Sequence, residues 1–293
     1  MTPAEFEEKD FEGPLYNQLL FGHHHIATPG QVFEGKYGID AALHALHPRF
    51  WNFFGYPNAP HGCILNDFNW GWVWRRLHRK RPLPNFSTNL LIQSKRPSVI
   101  LKAGAQTASH GPTGPLWQFE MRQHQQPILE RVSATLGHRA LVVYSSPAFD
   151  SFTALYDHTS NLTLVDNCTY VKVARLKGHD SWVYSKPGTQ GVAHSEPENI
   201  EDIPFKTMLS QLSEFHTTNS DATKDLNILS SSIEQVCQEL SQKSVLAQYA
   251  LRVAGSLSEQ RASIKEKSPY IYDFWIMSLM LHVIGITWMV VGK

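Results

Sequence analysis

Apolar positions along the chain fall into two kinds of run. Asn89-Leu90-Leu91-Ile92-Gln93-Ser94-Lys95 is a short apolar stretch ending in polar residues, and Ala140-Leu141-Val142-Val143-Tyr144-Ser145 is a second, richer in β-branched residues. Runs of this length and makeup predict buried strands. Between them, Gln125 to Leu136 has Pro127 near its start and Gly137 just past its end, the order of a helix with an N-terminal proline and a C′ glycine. Strand, helix, strand is the common order of an α/β protein and predicts that class.

From Phe205 onward the period changes. Ile233, Val236, Cys237 and Leu240, then Val245, Leu246, Tyr249, Val253 and Leu257, recur at three- and four-residue steps and predict amphipathic helices. The polar stretch from Thr217 to Asp225 separates two of them. Phe274 to Val291 carries no Asp, Glu, Lys or Arg and is long enough for a membrane span. Gly285 interrupts it, no basic cluster flanks it, and Ile286 to Val291 is strand-like, so the expectation is a buried helix followed by a buried strand. Gly178 to Glu198 is rich in Gly, Ser, Pro and His, and Ser195-Glu196-Pro197-Glu198 predicts the entry to the helical half, with acids in the first turn.

Composition narrows the classes. With 293 residues, 42% hydrophobic and 18% charged, the chain can bury a sizeable core and is not disordered. A formal net charge of zero excludes nucleic-acid binding by global basicity, so any such surface has to be local. One candidate is Arg75, Arg76, Arg79, Lys80 and Arg81, preceded by Trp70, Trp72 and Trp74; Arg96 adds a cation beside Lys95. Clustered cations neutralise phosphates and tryptophans stack on bases, although alternating tryptophans equally describe one buried strand face. His23-His24-His25 lies on too short a spacing for all three rings to share one ion, and His61-Gly62-Cys63 lacks partners at zinc spacing. The three cysteines, Cys63, Cys168 and Cys237, are far apart and odd in number, which argues for a reducing compartment. Met1 to Glu12 is acidic rather than basic and then apolar, so the cytoplasm is the expected location.

The chemistry is sharpest at the end of the first strand. Alternate side chains on a strand share a face, so Gln93 and Lys95 point one way, Ile92 and Ser94 the other. A lysine so placed can orient water or offset charge on a phosphate, a carboxylate such as Asp40 can hold a metal, and the Gln93 carbonyl is a hard oxygen that can replace a second carboxylate. Glu34 and Lys36 offer a competing pair. The plain alternative is an edge strand ending in a solvated lysine.

Phe33-Glu34-Gly35-Lys36-Tyr37-Gly38-Ile39-Asp40 followed by Leu91-Ile92-Gln93-Ser94-Lys95-Arg96 resembles the PD-(D/E)XK restriction-endonuclease-like superfamily, in its Mrr-type branch. The likeness covers roughly residues 5 to 145, and the 52 residues between Asp40 and Gln93 exceed the short link usual there. The resemblance implies an α/β fold: a restriction-endonuclease-like core, a central mixed sheet flanked by helices, over residues 1–200, with an insertion at about 44–88 and a mainly helical region, 201–293, packed on it. It implies a Mg²⁺- (or Mn²⁺-) dependent deoxyribonuclease, an effector of anti-phage defence. Asp40, Gln93, Lys95 and Glu34 are then its catalytic candidates, together with Glu12 as the helix glutamate, beside which Glu7 and Glu8 are also open. Metal would fall to Asp40, Gln93 and Glu12. Partners implied are double-stranded DNA and, through the helical region, a second copy or another protein. A catalytically inactive binding or scaffold protein on the same fold is the alternative, and a membrane-associated sensor a third class.

Overall fold

A computed structural model describes residues 1–20, 26–27, 42–43, 88–101, 114–188, 190–195, 198–200, 203–212, 222–256 and 269–291. In chain order these form β1 (Thr2–Pro3), α1 (Glu8–Leu20), β2 (Ile26–Ala27), β3 (Ala42–Leu43), β4 (Thr88–Ser94), β5 (Ser98–Ile100), β6 (Leu116–Glu120), α2 (Gln126–Leu136), β7 (Ala140–Pro147), α3 (Phe152–Ser160), β8 (Cys168–Lys172), β9 (Ser181–Tyr184), β10 (Gly191–His194) and β11 (Glu198–Ile200). The helical half follows as α4 (Phe205–Gln211), α5 (Ala222–Leu240), α6 (Val245–Ser256) and α7 (Pro269–Ile284), and β12 (Thr287–Val291) closes it.

Among the described residues two sheets organise the fold, besides the short β2–β3 pair. One is mixed and four-stranded, in the order β12-β4-β7-β8, with β4 and β7 parallel and the outer pairs antiparallel. The other is antiparallel and six-stranded, in the order β1-β5-β6-β9-β10-β11. The parallel pair exists because α2 carries the chain back over the sheet, which a tight hairpin cannot do. Pro127 opens α2, and Gly137, at φ +53°, ends it in a conformation that a side chain resists.

Alternation along the four-stranded sheet divides the interior in two. Leu91, Val142 and Tyr144 face a cluster with Ile128, Leu129 and Val132 of α2, Ile233 and Val236 of α5 and Met280 of α7, joined by Trp182 and Tyr184 from the other sheet. Leu90, Ile92, Leu141 and Val143 face a second cluster with Phe11, Leu15 and Leu19 of α1 and Met208 of α4. A sheet buried on both faces explains why β7 is buried at every position and opens on an unbroken apolar run, Ala140 to Val143, rather than alternating.

Of the residues described after 203, those of α4, α5 and α7 enter the two clusters and β12 extends the four-stranded sheet. β12 runs antiparallel to β4, Thr287 opposite Ile92 and Val291 opposite Thr88, and α7 precedes it as the expected buried helix. Among the described residues no helix is long and apolar enough to cross a membrane. The expected helix entry at Ser195 to Glu198 is corrected: Glu198 opens β11, paired with Ala193 of β10. Ser181–Tyr184 is buried at all four positions, so it shows no alternation. Cys168 and Cys237 are free and buried.

Candidate functional site

Lys95 follows the last residue of β4, where the chain leaves one sheet and enters the other at Ser98. Its backbone N–H continues the parallel ladder to the Ser145 carbonyl at 2.8 Å. The expectation of a solvated lysine on an edge strand does not hold: β4 has β12 on one side and β7 on the other, and Lys95 is only 4% exposed. Its Nζ lies 5.7 Å from the centre of the Tyr144 ring. Burial, opposed by the charge of Glu8 and reinforced by that of Arg122, lowers its pKa to about 8.

Gln93 shares the Lys95 face and is buried. Its Oε1 accepts a hydrogen bond from Gln125 Nε2 at 2.6 Å, while its own Nε2 donates to the Ser94 carbonyl at 3.1 Å. Gln125 stands just ahead of α2 and also donates to the Ile284 carbonyl, the last of α7. Below it, Tyr144 donates from its hydroxyl to Gln126, whose Nε2 reaches Glu130 at 2.9 Å. Burial holds the Tyr144 hydroxyl well above the usual phenol range. These neighbours come from the N-terminus of α2, which spacing in the sequence did not single out; the Gln125-Gln126 pair at a helix start was the available signal.

On the opposite face of β4, Ser94 Oγ lies 3.0 Å from the Tyr16 hydroxyl of α1. That places α1 and its acids relative to the site. Glu12 pairs with Lys9 at 3.3 Å and bears on Tyr16, whose hydroxyl burial pushes up. Glu8, one turn earlier, accepts from the Arg96 N–H at 3.3 Å and is the acid whose charge reaches Lys95. Of the acids left open on this segment, the geometry therefore brings Glu8, rather than Glu12, to Lys95. Arg96 folds its guanidinium onto the N-terminal segment, donating to the Ala4 carbonyl at 3.1 Å and pairing with Glu7 at 2.6 Å. It holds α1 against the site instead of presenting a bare cation.

Asp40, Glu34 and the run Arg75, Arg76, Arg79, Lys80 and Arg81 lie outside the described residues. Along Asn89–Ile92 both edges of β4 are already taken, by β12 and β7, so no further strand pairs with it there. Among the described residues no three His, Cys, Asp or Glu side chains are grouped to hold a metal ion. With Gln93 Oε1 engaged by Gln125 and Glu12 facing Tyr16, these residues do not fit Mg²⁺ or Mn²⁺ as they stand.

What the arrangement offers is a buried amine of lowered pKa at the C-terminal ends of two parallel strands, beside the start of the crossover helix. Ligands in α/β proteins gather at such ends, and a desolvated ionisable group there is a recurrent mark of a working site. No family model, no curated protein and no solved structure matches this chain.

Proposed function

We propose that the chain is a DNA-cleaving phosphodiesterase of the restriction-endonuclease-like type, with Lys95 at its reacting centre. The observation that carries the reading is the burial of Lys95, against a desolvation cost, at the end of the parallel β4–β7 pair in a Gln93-x-Lys95 register. A lysine ammonium held there would offset negative charge developing on a scissile phosphate, and with a pKa near 8 it would also release a proton more readily than an ordinary lysine. Glu8 supplies the countercharge. The metal in this proposal rests on Asp40 or Glu34.

The test is cleavage of plasmid and linear DNA by the purified chain with Mg²⁺ or Mn²⁺, against EDTA and Lys95→Ala. Metal-dependent cutting that falls by about 10²-fold or more in Lys95→Ala supports the proposal, that being the usual loss when one charge-stabilising group is removed. Cutting that survives the substitution moves the centre elsewhere.

A second reading is favoured by one specific contact. Because the Gln93 carbonyl is bonded to Gln125, the fold also suits a binding protein with an inactive site. That protein would retain DNA with a steep salt dependence and cut nothing under any divalent cation.

A further inference from the structure

A sheet edge presents unpaired N–H and C=O groups, and folded chains blunt such edges with proline, charge, shortness or a covering loop. Among the described residues the two large sheets have four edges, β12 and β8 on one, β1 and β11 on the other. Three of them are blunted in these ways. β1 is two residues long and includes Pro3, which has no N–H to offer. β11 is three residues long and opens with the charged Glu198. β8 is covered on its outer side by a loop, where Gly188 accepts from the Tyr170 N–H at 2.7 Å and donates to the Cys168 carbonyl at 3.0 Å.

β12 has none of these protections. It runs for five residues, Thr287-Trp288-Met289-Val290-Val291, with no charge and no proline. Its inner side is taken by β4, and among the described residues no strand or loop is hydrogen-bonded to its outer side. The strand is firmly held from within. Met289 is buried in the second cluster, Trp288 Nε1 donates to the Asn89 side-chain oxygen at 3.0 Å, and the Trp288 ring centre lies 5.5 Å from that of Phe274. It is therefore a fixed template for a further strand.

The makeup of this edge selects the partner. In a two-fold pairing a strand meets its own sequence running the other way, so a charge on it is brought close to its copy. On β12 that repulsion is absent. Centred on Met289, the antiparallel register sets Trp288 opposite Val290 and Thr287 opposite Val291, and aromatic with β-branched pairs are favourable cross-strand neighbours. We propose that β12 is a self-association edge: the β12 of a second copy of this chain pairs antiparallel to it about Met289, and the two four-stranded sheets become one continuous sheet. Five residues a side is less than a standard interface, so the dimer forms at micromolar concentrations. The proposal stands apart from the nuclease reading.

The test is sedimentation equilibrium of the full chain from about 1 to about 200 µM, with hydrogen exchange of those β12 amides that do not face β4 measured at both ends of the range. Val290→Glu and Val290→Lys each put a like-charge pair diagonally across the two-fold axis. Wild type is expected to be a monomer and dimer in exchange, with these amides protected only when concentrated. Either variant alone should dimerise about tenfold more weakly, and an equal mixture of the two should recover most of that loss as a mixed dimer. A monomer throughout, with the amides exchanging freely, overturns the proposal. So does a monomer in which they are protected, because the edge is then covered within the chain. A dimer that both substitutions leave unchanged lies on another surface and also overturns it. Where a variant does not fold by circular dichroism, the wild-type protection decides: confined to β12 and concentration-dependent, it supports the pairing.

Discussion

Replacing Lys95 by methionine should stabilise this protein at neutral pH, and the gain should fade as the solution is made alkaline. The pKa of Lys95 falls from 10.5 to about 8 on folding, chiefly through desolvation. At pH 7 the amine is protonated in both states, and keeping that charge buried costs about 3 kcal/mol, at 1.4 kcal/mol for each pH unit between the two values. Between about pH 8 and 10.5 the unfolded chain still binds the proton and the folded chain does not, so wild-type stability rises with pH across that window. Methionine removes the charge and nearly preserves the volume, and Lys95 is buried enough for the change to register. Urea unfolding of both proteins at pH 7, 8, 9 and 10 measures the difference directly, because tyrosines and other groups common to both cancel. Lys95→Met should lead by up to about 3 kcal/mol at pH 7 and lose most of that lead by pH 10. A difference that stays flat from pH 7 to 10, or a methionine variant less stable at pH 7, would refute the account of Lys95 as a desolvated cation. A lysine retained at such a cost is better explained by work than by packing.

Other substitutions test the frame that holds the site. Gly191→Ala should destabilise by about 3 kcal/mol in urea, since its Cβ would stand 2.4 Å from the fully buried Trp182 ring and 2.6 Å from the Val183 carbonyl. Gln18→Ala should cost about 2 kcal/mol or more by the same measure: Gln18 Oε1 accepts from the Leu164 and Val165 N–H groups, which would be left buried and unpaired. Asp273→Leu should lower the melting temperature despite the added apolar bulk, as Asn227 and Ser230 of α5 both donate to this buried carboxylate. Replacing Arg79, Lys80 and Arg81 together should weaken DNA retention and reduce its salt slope by about 2 to 3, without altering Lys95-dependent steps; an unchanged slope would return those cations to a solvated surface.

Local pattern alone determined much of the scaffold. The run at Asn89 to Lys95, the helix bounded by Pro127 and Gly137 and the apolar strand at Ala140 stand in the structure within a residue or two, and the C-terminal run is a helix then a strand as read, its helix beginning five residues before Phe274. Each is written in contacts between near neighbours, where a period of two or of three to four has a direct physical meaning. The shared face of Gln93 and Lys95 belongs to the same class, because strand geometry alone forces it.

Tertiary structure decided what those residues meet. That β12 lies against β4, closing over a separation of nearly two hundred residues, follows from how two buried faces are best covered, and no local period records it. The depth of Lys95 follows from what packs on the sheet face it shares with Gln93, beside the Tyr144 ring, and no local period records that either. Glu8 rather than Glu12 bears on the lysine because Glu8, Glu12 and Tyr16 follow one another a turn apart along one face of α1, and with Tyr16 held at Ser94 it is the first turn, carrying Glu8, that comes to Arg96 and Lys95. The partnership of Gln93 with Gln125 depends on the Ile284 carbonyl arriving from the end of α7. Short strands such as Ser181–Tyr184 were unreadable for a related reason: every position is buried by distant elements, so the polar and apolar alternation that marks a half-buried strand is absent. Sequence sets what each segment can become; the burial of one segment by another, a long-range and collective choice, sets which side chains come to share a site.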